Sequence, residues 1–300
     1  ARQWPDAHLP DTDLLLALHA RRSAPSVAAW SETGRGLVVV LTGTDLYRDI
    51  AHDASAQRSL GLAHRLVVLQ EHAPLDLPPT LRPKCRVVFQ SSPSRQTLSK
   101  TRAHLRAVMV GHLRDEKWPQ TLFEAARLLR ADEGIRIDHI GHALEPALGE
   151  AARQTALDCP HYRWLGGLPH AATRQRIQRA HVLVHTSRME GGAHAILEAV
   201  RCGTPVLASR IPGNVGMLGE GYGGYFPGGD AHALAALLRQ VFQMSEFIVT
   251  LMLNYIVLYV LVFLGETKAD WNFFLSAQSA RPTFASFASS TSLPVPCRSK

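Results

Sequence analysis

The stretch 187–203 constrains the fold most, because it carries a Gly191-Gly192 pair between two short apolar runs. These runs, residues 181–185 and 205–208, are rich in valine, leucine and alanine and are typical of strands buried in a parallel sheet. The glycine pair marks a turn, and the residues that follow it favour a helix. The order strand, glycine turn, helix, strand predicts one unit of an α/β fold.

Two glutamates, Glu190 and Glu198, lie eight positions apart on this stretch. An α-helix has about 3.6 residues per turn, so eight positions span about two turns and both carboxylates can face one ligand. Gly191 and Gly192 would let backbone N–H groups at a helix N-terminus approach an anion closely. N–H groups for phosphate, beside carboxylates for hydroxyl groups, favour a sugar nucleotide as the ligand.

The two glutamates, followed by an alanine and by Gly-x-Pro-Val, resemble the donor-site signature of the family 4 retaining glycosyltransferases. The resemblance implies an α/β protein of the GT-B fold, with two Rossmann-like domains. It implies that Glu190 contacts the donor sugar and that Glu198 accepts hydrogen bonds from the ribose hydroxyls. Gly191 and Gly192 would offer N–H groups to the sugar or the diphosphate. An ordinary amphipathic helix with two solvated glutamates is the alternative.

The loop 111–117 follows another apolar run and leads into a predicted helix. In the family, the matching loop places a glycine, an arginine and a lysine around the donor diphosphate. Gly111 and Lys117 match that pattern. His112 stands at the usual arginine position, and Arg114 is the substitute that we expect. Lys117 and Arg114 would neutralise the departing UDP phosphate, although a solvated loop of charged residues is the alternative.

The first hundred residues contain four more apolar runs suited to a buried parallel sheet, 14–18, 37–41, 66–69 and 86–89. Polar loops follow the runs, at the edge where open α/β sheets bind ligands. The residues that we expect to face an anionic acceptor there are His19, Arg21, Arg22, Thr44, Asp45 and Arg48.

The catalytic candidates come from both halves of the chain, and they are Glu190, Lys117, Arg114 and His19. Enzymes of this retaining class lack an obvious protein nucleophile, so we expect these residues to stabilise the leaving group. Leu165 belongs to a Trp-Leu-Gly segment that matches the family's segment beside the uracil ring. A tryptophan in an apolar context is, alternatively, an ordinary core residue.

One branch of the family is more similar still, the selenosugar synthases of selenoneine biosynthesis. The similarity extends from about residue 12 to residue 243. The motifs that carry it are residues 18–23, 41–49, 111–115, 187–192 and 208–216. This resemblance implies that an N-acetylhexosaminyl group passes from UDP to selenophosphate. A cationic acceptor pocket formed by His19, Arg21, Arg22 and Arg48 would suit that small anion.

Composition limits the function classes. The 300 residues carry a formal net charge of +7 at pH 7, with arginine spread throughout, which argues against nucleic acid and favours an enzyme for anionic substrates. Four distant cysteines argue against a disulfide framework or a zinc site and favour a reducing, cytoplasmic compartment. No Asp-x-Asp pattern lies in the diphosphate loop. We therefore expect no metal, and no cofactor besides the UDP-sugar co-substrate.

Three segments are predicted: an acceptor domain over 1–104, a nucleotide-sugar domain over 105–243 and an atypical tail over 244–300. The acceptor domain is expected to be incomplete, because residues 1–13 supply no glycine-bearing first strand and loop. Within the tail, residues 247–264 carry no charge and are just long enough for a transmembrane helix. A membrane anchor, a buried terminal helix and an unrelated fused sequence are the three alternatives.

Other functions stay open at this point. The chain could transfer a hexose to a polysaccharide or a lipid, for which a genuine membrane anchor would be suggestive. It could also be a truncated protein that binds a sugar nucleotide without catalysis. A sugar-nucleotide epimerase is a further alternative, because such enzymes share the GT-B fold.

Overall fold

The computed structural model describes residues 12–93 and 96–243. The predicted tail 244–300, with its segment 247–264, lies outside the described residues. Within the described part of the chain, no helix is both long and apolar enough to cross a membrane.

The first half of the chain forms a parallel sheet of four strands in chain order, β1 Leu14–Leu18, β2 Gly36–Val40, β3 Arg65–Val68 and β4 Cys85–Val87. Parallel neighbours need crossover connections, which here contain helices. These helices are α1 Ala24–Ser31, the single turn α2 Ile50–His52 and α3 Ala54–Leu62. A π-helical turn, Asp45–Asp49, precedes α2.

The second half forms a parallel sheet of six strands. The strands are β5 Leu105–Val110, β6 Ile135–Ile140, β7 Tyr162–Trp164, β8 Val182–His185, β9 Val206–Ser209 and β10 Tyr225–Phe226. The helices are α4 Pro119–Leu128, α5 Pro146–Asp158, α6 His170–Arg179, α7 His194–Arg201, α8 Pro212–Leu218 and α9 Ala231–Gln243. Three of them begin with proline. Proline is favoured at the first helical position because an N–H group there would have no hydrogen-bond partner within the helix, so its absence costs nothing.

The order of this sheet is β10-β9-β8-β5-β6-β7, so the chain builds outwards from β5 in one direction and from β8 in the other. The direction of winding therefore reverses between β5 and β8. Open α/β sheets bind ligands in the crevice outside the carboxyl ends of the strands at such a reversal. A ligand site is therefore expected at the loops that follow β5 and β8.

The side chains of β5 point alternately to the two faces of this sheet, and helices cover both faces. Leu105, Ala107 and Met109 point into one buried cluster, whereas Val108 and Val110 belong to the cluster on the opposite face. Successive side chains of a strand point to opposite faces, so the apolar run 107–110 needs cover on both sides. The predicted α/β architecture with parallel sheets is confirmed, and the domain boundary near residue 104 stays a prediction.

Local predictions differ from the structure in three places. The helix expected to begin at the Gly191-Gly192 pair begins only at His194, because the glycine pair lies in an irregular loop. No helix or strand was predicted for the glycine-rich segment 212–230, which contains helix α8, started by Pro212, and the short strand β10. Helix α5 was not predicted, since its apolar positions are mostly alanines, which give a weak amphipathic pattern.

Candidate active site

Two loops meet at the reversal between β5 and β8. The loop after β5 includes Gly111 and Lys117, and the loop after β8 includes Glu190 and the glycine pair. Thr186 Oγ1 donates a hydrogen bond to the carbonyl oxygen of Lys117 at 2.8 Å, which ties one loop to the other. The sheet order thus brings together residues that lie more than seventy positions apart in the sequence.

Glu190 is the centre of this meeting point. Its atom Oε1 forms an ion pair with Lys117 Nζ and accepts a hydrogen bond of 3.0 Å from Ser187 Oγ. His185 Nε2 lies 3.3 Å from the same oxygen but lacks hydrogen-bond alignment. This buried nitrogen therefore has no hydrogen-bond partner within the described part of the chain.

The electrostatics of the cluster keep Glu190 ionised. Burial alone would raise the pKa of this carboxyl, but the Lys117 ammonium and the His185 imidazole outweigh burial and hold the pKa well below its ordinary value near 4.5. Burial lowers the pKa of His185 despite the nearby carboxylate. The stability that the Glu190 ion pair contributes is therefore present above about pH 4.5 and is lost as the pH falls through the folded-state pKa.

Beneath the loop after β5 lies a buried histidine that the sequence analysis missed. His139 Nε2 lies 3.3 Å from the carbonyl oxygen of Gly111, and its Nδ1 lies 3.0 Å from the hydroxyl of Tyr162. Burial lowers the pKa of His139 to about 4, so the ring is neutral at pH 7. A Cβ at Gly141 would lie 2.0 Å from Gly111 O, which shows how closely the backbones approach here.

His112 and Arg114 have different surroundings in the same loop. The His112 ring stacks on His142 with centroids 5.6 Å apart, and His112 Nδ1 accepts a hydrogen bond of 3.0 Å from the His142 backbone N–H. Burial and the neighbouring cationic groups lower the pKa of His112. Arg114 Nε lies 3.8 Å from Glu116 Oε2 and has no hydrogen-bond partner in the part of the chain that the structure describes. Arg114 is thus the residue of this pair that brings a full positive charge.

Arg188 and Trp118 hold the two loops together from outside, and neither was singled out in the sequence. The Arg188 guanidinium lies 4.2 Å from the centre of the Trp118 ring, and its Nη1 lies 3.0 Å from Asp115 Oδ2. Trp118 has a φ of 45°, a left-handed conformation that is costly for a bulky residue. No local sequence pattern signals these contacts, because the residues lie in loops that follow different strands of the sheet.

Close packing, rather than a helix start, explains the glycine pair. A Cβ at Gly191 would lie 2.5 Å from the carbonyl carbon of Thr42, and a Cβ at Gly192 would lie 2.7 Å from Leu69 Cβ. The expectation that these glycines begin a helix is wrong, since α7 begins at His194. Their backbones instead contact the loops after β2 and β3, which places the two sheets side by side at the site.

Glu198 and Leu165 lie further along the second sheet. Glu198 is buried on α7, where its Oε1 lies 2.6 Å from His170 Nε2 and 3.7 Å from His194 Nε2. Leu165 is partly buried against the core on that face, and its backbone N–H donates to His139 O at 2.8 Å. Both residues thus contact other residues of the second sheet and its helices. Their expected roles toward ribose and uracil stay predictions.

On the first sheet, Asp45 ties together the loops that follow β1 and β2. Its Oδ2 accepts a hydrogen bond of 2.8 Å from the backbone N–H of Ala20, and its Oδ1 accepts bonds from Thr42 N, Thr42 Oγ1 and Leu46 N. The side chain is fully buried. Asp45 therefore shapes the expected acceptor loops through its hydrogen bonds.

His19 has a strained backbone at the end of β1, with a φ of 72°. Its Nε2 lies 3.0 Å from Thr44 Oγ1, and its Nδ1 accepts a hydrogen bond of 3.3 Å from the Arg22 backbone N–H. Burial lowers the pKa of His19, although Asp45 and Asp49 oppose the shift. Strained residues cluster at functional sites, so this conformation agrees with a role for His19.

The expected arginines of the acceptor pocket already have acidic partners. Arg21 Nε lies 2.8 Å from Asp49 Oδ2, and Arg48 Nε lies 3.2 Å from Asp49 Oδ1. Arg48 Nη1 also lies 3.1 Å from Glu116 Oε1, so the segment after β2 contacts the loop after β5 directly. Arg22 is exposed. An anion bound here would compete with Asp49 and Glu116 for the two paired arginines.

The model of the family of glycosyl transferases group 1 matches residues 93–249, more than half of the chain. Both loops at the strand reversal lie within the match. The chain belongs to the glycosyl transferases group 1. No curated protein sequence matches the chain.

Solved glycosyltransferase structures share the fold of this group 1 chain. Anabaena HepE in complex with UDP and glucose is 16% identical over 82% of this chain and 72% of its own, with a TM-score of 0.65. The pneumococcal O-GlcNAc transferase GtfA in complex with UDP and GlcNAc is 18% identical over 80% and 52%, with a TM-score of 0.62. A mutant of S. aureus TarM in a complex that includes UDP is 13% identical over 81% and 50%, with a TM-score of 0.60.

These likenesses establish the GT-B fold for the group 1 chain. The chain spans about half the length of GtfA and of TarM. At these identities the likeness is one of fold, and the expected roles of individual site residues stay predictions.

Replacing Lys117 by methionine is expected to lower the free energy of unfolding at pH 7 by about 3 kcal/mol, because a buried carboxylate would lose its cation. The measurement is urea denaturation of the full chain. The double variant Lys117→Met Glu190→Gln should recover more than half of the loss, since it removes the buried charge as well. Additive losses in the double variant would show that the two side chains do not form a coupled pair.

Proposed function

We propose that this chain binds a UDP-sugar in the crevice between β5 and β8 and transfers its sugar to a small anionic acceptor. The observation that carries the proposal is the ion pair between the partly buried Lys117 and the buried Glu190 at the strand reversal. It lies inside the segment that matches the family model. The complexes of HepE, GtfA and TarM with UDP support a uridine nucleotide as the donor.

The charges near the crevice suit a diphosphate. Lys117 and Arg114 bring two positive charges, and Arg114 Nε has no hydrogen-bond partner in the described residues. On donor binding, the Lys117 ammonium would contact the diphosphate while Glu190 and Ser187 stay close to the sugar. Fixed cations that meet charge developing on the leaving group are the largest electrostatic contribution to such a transfer.

The remaining donor contacts follow from the positions of Glu198 and Leu165. Glu198 would accept hydrogen bonds from the ribose hydroxyls, exchanging its imidazole partners for them. Leu165 would lie beside the uracil ring. The backbone N–H groups of Gly191 and Gly192 would serve the sugar or the diphosphate, from a loop held in place by the first sheet.

For the acceptor we propose selenophosphate, as the similarity to selenosugar synthases implies. The ion pair between Arg48 and Glu116 supports an anionic acceptor, because it brings an arginine from the segment after β2 to the residue that precedes Lys117. His19, Arg21, Arg22 and Arg48 would bind the anion, with Thr44 and Asp45 shaping the loop. An acceptor anion in this position would face the anomeric carbon of the donor.

In the proposed reaction, the selenium of selenophosphate forms a bond to the anomeric carbon of an N-acetylhexosamine. The bond from that carbon to the β-phosphate oxygen of UDP breaks, and its electron pair leaves with UDP. Lys117 and Arg114 stabilise that charge, and no proton has to be taken from the ionised acceptor. The proposed step uses no metal, because the Lys117 and Arg114 side chains offset the negative charge of the UDP diphosphate.

Donor binding is expected to depend on Glu198. In calorimetric titrations of the full chain with UDP-N-acetylglucosamine, Glu198→Ala should raise the Kd about ten-fold or more, since hydrogen bonds to a charged group contribute about 1.5–3 kcal/mol. Glu124→Ala, an exposed change on α4, is the matched control and should leave the Kd unchanged. Equal Kd values for wild type and Glu198→Ala, with both proteins folded, would contradict the assignment.

Turnover is expected to require selenophosphate. The full chain, given UDP-N-acetylglucosamine, should release UDP at a higher rate with selenophosphate than with water alone, and mass spectrometry should find one selenium-containing sugar phosphate per UDP. Inorganic phosphate is the control for a general anion effect.

The other outcomes separate the alternatives. UDP release with glycan or lipid acceptors and never with selenophosphate would contradict the selenosugar proposal while leaving a glycosyltransferase. Donor binding without any turnover would contradict catalysis and leave a sugar-nucleotide-binding protein. An isomerised UDP-sugar formed without an acceptor would point to an epimerase.

A further inference from the structure

Two helices of the second sheet bring three potential metal ligands together. His170 is the first residue of α6, His194 is the first residue of α7, and Glu198 lies one turn further along α7. Their ligand atoms, the imidazole nitrogens and a carboxylate oxygen, all lie within 4.8 Å of one another. No metal was expected from the sequence, because no Asp-x-Asp pattern lies in the loop 111–117. This cluster has no single local pattern, since His170 lies on a different helix from His194 and Glu198.

The distances suit a small divalent ion. Zinc binds histidine nitrogen at about 2.0–2.1 Å and carboxylate oxygen at about 2.0–2.2 Å, so tetrahedral ligands lie about 3.3 Å apart. The Nε2 atom of His170 lies 2.6 Å from Glu198 Oε1, and that of His194 lies 3.7 Å from it. Small rotations of the two rings would bring both distances to that value. The rings can move, because the His170 and His194 side chains are 62% and 46% exposed.

The charge of Glu198 gives an independent argument for a cation. Its side chain is only 6% exposed. Within residues 12–93 and 96–243, its ion-pair partners are the two imidazoles, and no lysine or arginine nitrogen lies within 4.0 Å. An imidazole brings a positive charge only when it is protonated. A buried carboxylate without a cation is costly, and a bound metal ion would remove that cost.

We propose that His170, His194 and Glu198 bind Zn²⁺, and that bound zinc weakens the binding of the UDP-sugar. Two histidines and one glutamate form a ligand set that zinc prefers, with a fourth position left for water. Magnesium and calcium prefer oxygen ligands throughout, so the two imidazoles select against them. The effect on the donor rests on the proposed function, because it requires Glu198 to bind the ribose. Zinc and ribose would then compete for one carboxylate.

Direct zinc binding is the first arm of the test. The full chain, purified with chelator and freed of it, is titrated with zinc chloride in a calorimeter. Wild type and His232→Ala, an exposed histidine change on α9, should bind one zinc ion with the same Kd. His170→Ala and His194→Ala should each weaken this binding at least 100-fold, since changing even an outer-shell partner costs about 10–100-fold. Equal zinc binding by the double variant His170→Ala His194→Ala would overturn the proposal.

Competition with the donor is the second arm. At free zinc ten times its Kd, competition predicts an apparent Kd for UDP-N-acetylglucosamine about eleven times higher in wild type. The same zinc addition should leave the Kd of the double variant unchanged. Zinc that binds to the nucleotide itself changes the apparent Kd of wild type and of the double variant equally, so the comparison of the two proteins removes this effect. An equal effect of zinc on both proteins would overturn the competition.

The two arms separate this proposal from the proposed function. If wild type binds no UDP-sugar at all, the donor assignment fails, and the zinc titration still decides whether the metal site exists. If the donor binds and zinc does not, the metal site alone is wrong.

Discussion

The site depends on one electrostatic constraint, a buried carboxylate that must have a cation. Glu190 follows β8 and Lys117 follows β5, and these two strands are neighbours only because the sheet winds outwards from them in opposite directions. Their ion pair holds both loops in place where a ligand can enter. Because Lys117 offsets the charge of Glu190, the lysine is already positioned for the donor diphosphate that we propose it binds. The structural pair and the proposed binding site therefore use the same atoms.

Much of the fold could be predicted from the sequence, because its strands are short apolar runs and its loops carry glycine and charge. The strand, turn and helix around Glu190 were predicted in the correct order. The start of α7 was not, since a Gly191-Gly192 pair suits both a helix N-terminus and a close backbone contact, and only the neighbouring loop at Thr42 decides between them. The contacts of His139 likewise depend on packing between strands, which no local spacing reveals.

The acceptor side shows the limit of counting charges along a sequence. Arg21 and Arg48 suggested a cationic pocket, but both pair with Asp49, whose carboxylate lies between them. The contact between Arg48 and Glu116 connects this network to the loop that carries Lys117. Binding of an anionic acceptor would therefore change the charges that the donor meets. If the chain binds the two substrates that we propose, this network would couple the affinity for one to the occupancy of the other.

Lys117 is proposed to bind the donor diphosphate, and a comparison of UDP with uridine is the sharpest test of that contact. Calorimetric titrations of wild type and Lys117→Met with both ligands isolate the contribution of the phosphates, because the base and ribose are the same. Wild type is expected to bind UDP more tightly than uridine, and the ratio of the two Kd values should fall at least about ten-fold in Lys117→Met, the loss of one charge-assisted contact. An unchanged ratio in a folded variant would show that Lys117 does not bind the diphosphate.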